Sequence, residues 1–133
     1  AVLVAAARKE NIPIIPLPGP SALSTLISIS GFSGKEIFFA GFLSKKDGKR
    51  KKELLKYREL DGIIVIYESP HRIDKLLAAI NDIYPDSQLV IGRELTKMYE
   101  ETITGSAADI LENLDSITRK GEFAIAINNR KGK

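Results

Sequence analysis

Cysteine is absent from the 133 residues, which excludes disulfides, cysteine-ligated zinc, iron–sulfur clusters and thiol nucleophiles. Histidine occurs once, as His71, so one chain cannot build a multi-histidine metal site, and the sequence predicts no metal. No stretch approaches the ~20 apolar residues that a membrane helix needs, so no membrane partner is expected. The apolar start, Val2 to Ala7, lies before Arg8 and Lys9 and not after them, the reverse of a secretory signal. The simplest compartment is the cytoplasm. There is no G-x-G-x-x-G and no Walker A lysine motif, so nucleotide binding on a glycine-rich phosphate loop has no support. The lack of a G-x-S-x-G elbow argues against a hydrolase.

Hydrophobic residues make up 44% and charged residues 28%, the balance of an ordinary globular chain. The length suits one domain, or a piece of something larger. The net charge is only +3, but it is unevenly placed. Between Lys45 and Arg58 eight basic residues stand against two acidic ones, a local charge of +6, which leaves −3 for the rest. A compact basic cluster on a mildly acidic chain suits a polyanion such as RNA. The plain alternative is a solvated helix face. Tyr57 is its only aromatic residue, so the cluster is expected to meet phosphate and not bases.

Elements alternate along the chain. The first ten residues read as a helix already under way at Ala1 and ended at Asn11, so the chain reads as the C-terminal part of a longer protein. Ile12–Leu17 reads as a short strand with prolines at 13 and 16. Ser21 can cap a helix built on Leu23, Leu26 and Ile27 and stopped by Gly31. Glu36–Leu43 reads as a strand, and the basic segment becomes helical near Arg50, anchored by Leu54 and Leu55. The β-branched run Ile63–Ile66 marks a strand buried on both faces. Ser69-Pro70 resembles a helix start, with Ile73, Leu76, Leu77, Ile80 and Tyr84 at helical spacing behind it. Gln88–Gly92 and Tyr99–Thr104 form a hairpin-like pair of strands. Ser106 and Asp109 make a capping box for a helix buried through Ile110, Leu111, Leu114 and Ile117. Glu122–Ile127 is the last strand, followed by a polar tail from Asn128 that is expected to fray. The fold class is therefore α/β, a mixed sheet with helices on its faces.

Three segments put polar residues or glycines directly behind a strand: Pro18–Ala22, Tyr67–Arg72 and Gly92–Lys97. Ligands of open α/β sheets collect at such carboxyl ends. Glu68 follows the buried strand, with His71 and Arg72 expected in the next helical turn, where bare N–H groups favour anions. Each segment alone would be an ordinary turn or cap; three together suggest a site. Internal pairing of Arg93 or Lys97 with Glu94 accounts for part of the third segment's charge.

These blocks occur in a recognisable order. Pro18-Gly19-Pro20-Ser21-Ala22, Gly41-Phe42-Leu43 ahead of the basic run, Tyr67-Glu68-Ser69-Pro70-His71-Arg72, Arg93-Glu94-Leu95-Thr96-Lys97 with Tyr99-Glu100-Glu101 and Gly105, and Lys120-Gly121-Glu122 resemble the bacterial 16S ribosomal RNA cytidine 2′-O-ribose methyltransferases. That group belongs to the tetrapyrrole methylase superfamily. The resemblance implies two α/β domains with S-adenosyl-L-methionine between them. It assigns residues 1–17 to the end of an N-terminal domain, whose glycine-rich cofactor loop this sequence lacks, and residues 18–133 to the C-terminal domain.

It implies cofactor contacts at Pro18, Gly19, Ser21, Ala22, Tyr67, Glu68 and Leu95. Glu68, Glu94 and Lys97 are the candidates for taking the proton of the ribose hydroxyl. A lysine needs a lowered pKa for that task. Lys49, Arg50, Lys51, Lys52, His71 and Arg72 are the candidates for holding the backbone of 16S ribosomal RNA or the small subunit. The expected assembly is a homodimer. Two alternatives stand beside this reading, a C-methyltransferase of tetrapyrroles and a non-catalytic RNA-binding module. The Tyr-Glu-Ser-Pro-His-Arg block speaks against the first, and the start in mid-helix against the second.

Overall fold

The run Ile63–Ile66 lies on an interior strand of a five-stranded sheet, where β-branched side chains pack well on both pleated faces. The computed structural model describes residues 2–131. Its strands are β1 (Ile37–Phe42), β2 (Gly62–Glu68), β3 (Gln88–Arg93), β4 (Glu101–Ser106) and β5 (Phe123–Asn129), in the order β1-β2-β5-β3-β4. β1 is parallel to β2, whereas β5 is antiparallel to both β2 and β3, and β3 to β4. It follows that β1, β2 and β3 run the same way. Their carboxyl ends share one edge of the sheet with the amino end of β5. Register makes this precise: Tyr67 and Gly92 both lie opposite Ala124, and Glu68 and Arg93 both lie opposite Phe123.

Alternate residues feed two cores. On one face Ile64, Ile66, Ile91, Ile125 and Ile127 pack with Leu54 of α3 (Asp47–Arg58), with Leu76, Leu77 and Ile80 of α4 (Ile73–Ile83), and with Ile110 of α5 (Ala107–Glu112). On the other face Ile63, Val65, Val90, Ala124 and Ala126 pack against Leu26 of α2 (Ala22–Ser30). Each fully buried aliphatic side chain contributes about 1.5–3 kcal/mol relative to exposure. α1 (Val2–Lys9) buries none of its residues, and it ends at Asn11 in the left-handed region (φ 53°). The capping box of Ser106 and Asp109 is formed as the sequence predicts, with both reciprocal hydrogen bonds present.

Several expectations need correction. Residues 12–17 form no strand: Pro13 and Pro16 supply no ladder donors, and Ile12, Ile14, Ile15 and Leu17 are exposed. Ser69-Pro70 does not start α4. The Ser69 N–H donates to Glu68 Oε1 at 2.7 Å and the Arg72 N–H to the Ser69 carbonyl at 3.1 Å. A tight turn therefore takes up residues 69–72, and α4 begins at Ile73 with Arg72 at its N-cap. His71 and Arg72 thus precede the helix. α3 starts earlier than predicted, at Asp47, and of its two expected anchors only Leu54 is buried. α5 stops at Glu112, and a 3-10 turn (Leu114–Ser116) leads to the buried Ile117. Asn128 and Asn129 are strand and not tail, while Gly132 and Lys133 lie outside the described residues.

Asn129 shows why the last strand does not fray there. Its buried amide nitrogen donates to the carbonyls of Tyr57, Arg58 and Leu60, at 3.2, 3.2 and 2.6 Å. The first two belong to the last turn of α3, where intrahelical donors run out, and the third to the turn just after it. Asn129→Ala should cost about 1–3 kcal/mol in urea unfolding. Asn129→Asp, which turns a carboxylate toward three carbonyl oxygens, should cost more. Asparagine and aspartate variants of equal stability would contradict the capping role.

Candidate active site

Because β1, β2 and β3 end on the same edge, the polar segments behind them converge there. A cavity of about 380 Å3 opens at that edge, inside the ~300–1,000 Å3 range of small-molecule sites. β2 and its turn contribute Tyr67, Glu68, Ser69 and Pro70; β3 and its loop contribute Gly92, Glu94, Leu95 and Lys97. Gly121 to Ala124 at the start of β5 close it, with Ala22 from α2 and Phe42 from β1. Its wall is mostly apolar. Gly92 leaves room for Leu95, whose side chain folds back over the strand: a Cβ here would lie 2.7 Å from it and displace it.

Glu68 is the buried acid of the site, 2% exposed. Its Oε1 accepts the Ser69 N–H, Arg72 Nε at 2.6 Å and a contact from Arg72 Nη2 at 2.5 Å. Its Oε2 is buried with no partner. The Glu68 side chain has no exposed surface, so this oxygen lies behind the cavity wall as a buried acceptor without a donor among the described residues.

The opposite wall is held by a latch. Glu94 N–H donates to the Glu122 carbonyl at 3.0 Å, and Glu122 N–H returns a bond of 2.9 Å to Glu94 Oε1. Lys97 Nζ bridges Glu94 and Glu122, at 3.0 and 3.2 Å. The backbone is bent to allow it, with Glu94 at φ 49° and the β-branched Thr96 at φ 64°. The Lys97 hydrogen bond, then that of the Glu122 backbone, hold the Glu94 carboxyl below its usual range. The same carboxylates hold the Lys97 ammonium above its usual range. The latch is therefore strongest above the ordinary glutamate range and below the ordinary lysine range. It weakens as pH falls through the lowered glutamate pKa, or rises through the raised lysine pKa. This shift is opposite to the one a general-base lysine needs.

The remaining predicted residues divide. Ala22, Tyr67, Glu68, Glu94, Leu95 and Lys97 line the cavity, whereas Pro18, Gly19 and Ser21 do not. Ser21 precedes α2 in an extended conformation and makes no side-chain capping bond. Arg72 is committed to Glu68, and His71 is exposed. In the basic cluster Arg50 is buried at 3% exposure and pairs with Asp47, and Lys51 pairs with Asp82, so Lys49 and Lys52 are the exposed members of that quartet without a salt bridge among the described residues. The sequence marked Gly92 as part of a site segment and Phe42, Gly121 and Glu122 as parts of the family blocks, without naming any of them as a site residue, and it did not mark Phe123 or Ala124. Only the register of β3 and β5 brings most of these together.

An α/β sheet with its ligand cavity at the carboxyl edge is the class that fold and site define. The chain matches the Tetrapyrrole (Corrin/Porphyrin) Methylases over residues 1–111 and belongs to that family. It is 41% identical over 129 residues to "Ribosomal RNA small subunit methyltransferase I" of Leptospira biflexa, covering 97% of this chain and 53% of that protein. A protein of the same name from Coprothermobacter proteolyticus is 39% identical over 127 residues, 96% of this chain and 56% of the relative. The chain thus spans about half the length of the curated relatives it matches. Among solved structures, a cobalt precorrin-4 methyltransferase of cobalamin biosynthesis superposes with a TM-score of 0.62 at 13% identity, over 92% of this chain and 55% of that one. A uroporphyrin-III C-methyltransferase from Thermus thermophilus, complexed with S-adenosyl homocysteine, gives 0.58 at 11% identity, over 92% and 56%. These two likenesses concern the fold.

Proposed function

We propose that this chain is the C-terminal part of an S-adenosyl-L-methionine-dependent methyltransferase that modifies a ribose 2′-hydroxyl of a cytidine in 16S ribosomal RNA. On this reading residues 1–17 end an N-terminal domain and 18–133 form the C-terminal one. One observation carries the reading. The two blocks that set this group apart, Tyr67–Arg72 and Arg93–Lys97, supply two walls of one cavity.

The cavity fits the cofactor: it is large enough, mostly apolar and closed by small residues on adjoining strands. Ala22, Tyr67, Glu68 and Leu95 would hold it there. S-adenosyl-L-methionine, when bound, supplies an electrophilic methyl group. The chain's own residues align the acceptor, and such alignment can be worth ~7–11 kcal/mol. Glu68 is the candidate for taking the proton of the ribose hydroxyl, since its Oε2 is the carboxylate oxygen without a partner; positioned bases contribute ~10²–10⁴-fold. Arg72 fixes the other carboxylate oxygen and so the direction of the first. Glu94 and Lys97 hold the wall through the latch. Lys49 and Lys52 meet RNA phosphates, which position the substrate without reading its sequence. His71 lies exposed beside the cavity turn and joins them. A homodimer in the cytoplasm completes the proposal.

The test is transfer of label from tritiated S-adenosylmethionine by the full-length protein to small-subunit RNA, followed by nuclease digestion and nucleoside analysis. Label on a cytidine 2′-oxygen is expected. Label on a base, or on a tetrapyrrole in place of RNA, would sink the assignment.

A further inference from the structure

The one aromatic residue of the basic run, Tyr57, packs against the core, but the structure places another at the root of the run. β1 pairs with β2 through Phe39 opposite Val65, Gly41 opposite Ile66 and Phe42 opposite Tyr67, so Ala40 is an extra residue, a β-bulge. Strict alternation from Phe39 would send Phe42 to the face of Ala40, toward the core that holds Leu43, Ile64 and Ile66. The bulge shifts the parity by one and returns Phe42 to the face of Phe39, Val65 and Tyr67. Gly41 makes this possible with φ 64°, a conformation that glycine adopts without penalty. The outcome is an aromatic cluster on the cavity side: the Phe39 and Tyr67 rings lie edge to face at 4.9 Å, and those of Phe42 and Tyr67 at 6.0 Å.

Phe42 is 66% exposed while lining the cavity. It is also held in place. Leu43 beside it is buried; Ser44 N–H donates to Glu53 Oε2 at 2.9 Å, and Lys46 N–H to Ser44 Oγ at 3.3 Å. Lys45, Lys46 and Lys49 follow within seven residues, all exposed. A fixed, solvent-facing ring next to unburied cations, on the rim of a ligand cavity, combines what an unpaired nucleotide needs: a face for the base and charges for the flanking phosphates.

We propose that Phe42 is a stacking platform for an unpaired RNA base at the mouth of the cavity, with Lys45, Lys46 and Lys49 taking the adjacent phosphates. This inference rests on the reading of the substrate as RNA and adds the residue that seats the nucleotide.

The test uses the full-length protein as wild type, Phe42→Ala and Phe42→Tyr. A short single-stranded RNA carrying 2-aminopurine is titrated, its quenching reporting stacking, and the KM for small-subunit RNA is measured beside the affinity for S-adenosylhomocysteine. Phe42→Ala should weaken RNA binding and raise the RNA KM roughly tenfold, the loss of one stacked base, with quenching reduced. Phe42→Tyr should restore all three, and the loss of RNA affinity in Phe42→Ala should exceed any loss of S-adenosylhomocysteine affinity, since the ring also lines the cavity. Unchanged RNA binding in Phe42→Ala overturns the proposal. So does an effect confined to cofactor affinity, or a fall in melting temperature alone, which would mean that another part of the protein covers the ring. If wild type binds the RNA with Phe42-dependent quenching yet transfers no methyl group to it, the platform stands and the proposed reaction falls.

Discussion

Glu68→Gln in the full-length protein should lower methyl transfer by about 10²–10⁴-fold while leaving a folded protein. Glutamine has the shape of glutamate, and its amide oxygen can take the place of Oε1 against Ser69 N–H and Arg72. The amide nitrogen then falls where Oε2 is, so the unpaired acceptor of this carboxylate becomes a donor. A hydroxyl that needs to lose its proton meets a group that cannot take it. Glu68→Ala is a different experiment, because it strands the largely buried Arg72 guanidinium, and removing one partner of such a pair costs about 3–5 kcal/mol. The comparison separates chemistry from stability. The glutamine variant should melt close to wild type and be slow, whereas the alanine variant should melt early. A glutamine variant within threefold of wild-type kcat would put the proton acceptor elsewhere.

Gly121→Ala should open the other wall. The residue has φ 88°, where an L side chain costs about 1–2 kcal/mol. An added Cβ would also collide with Cγ and Oε1 of Glu94. Glu94 would have to swing away, giving up the Glu122 N–H and the Lys97 ammonium together. At least a tenfold loss of S-adenosylhomocysteine affinity should follow, measured by calorimetry, with a lowered melting temperature. The second arm is the pair Gly121→Ala with Glu94→Ala. Removing the side chain that clashes should make the double variant more stable than additivity of the two single variants predicts. Strict additivity would show that Gly121 and Glu94 do not meet, and unchanged affinity in Gly121→Ala would mean that the latch does not shape the cavity.

Much of this was legible in sequence because it is local. The buried run at 63–66, the helical spacing from Ile73 to Tyr84 and the Ser106–Asp109 box each depend on a few neighbouring residues, and each is where the pattern puts it. Local patterns failed where a side chain overrode them. Ser69-Pro70 has the form of a helix start, but the Glu68 carboxylate takes the Ser69 N–H and is itself held by the Arg72 side chain. Arg50 sits in a run of solvated lysines by sequence, yet α3 turns it inward.

By itself, then, the sequence determined the alternation of strands and helices, the two blocks that point to a methyltransferase, and their place behind strands, since periodicity and capping are properties of neighbouring residues. Only the tertiary structure decided that these blocks face each other. That follows from β5 inserting between β2 and β3, a pairing of segments far apart in the chain, which leaves three strands running the same way. Only it decided where Phe42 points. Side chains alternate with a period of two, so one extra residue in β1 reverses every face after it, and the pairing with β2 that absorbs Ala40 is a long-range contact that no local pattern reports.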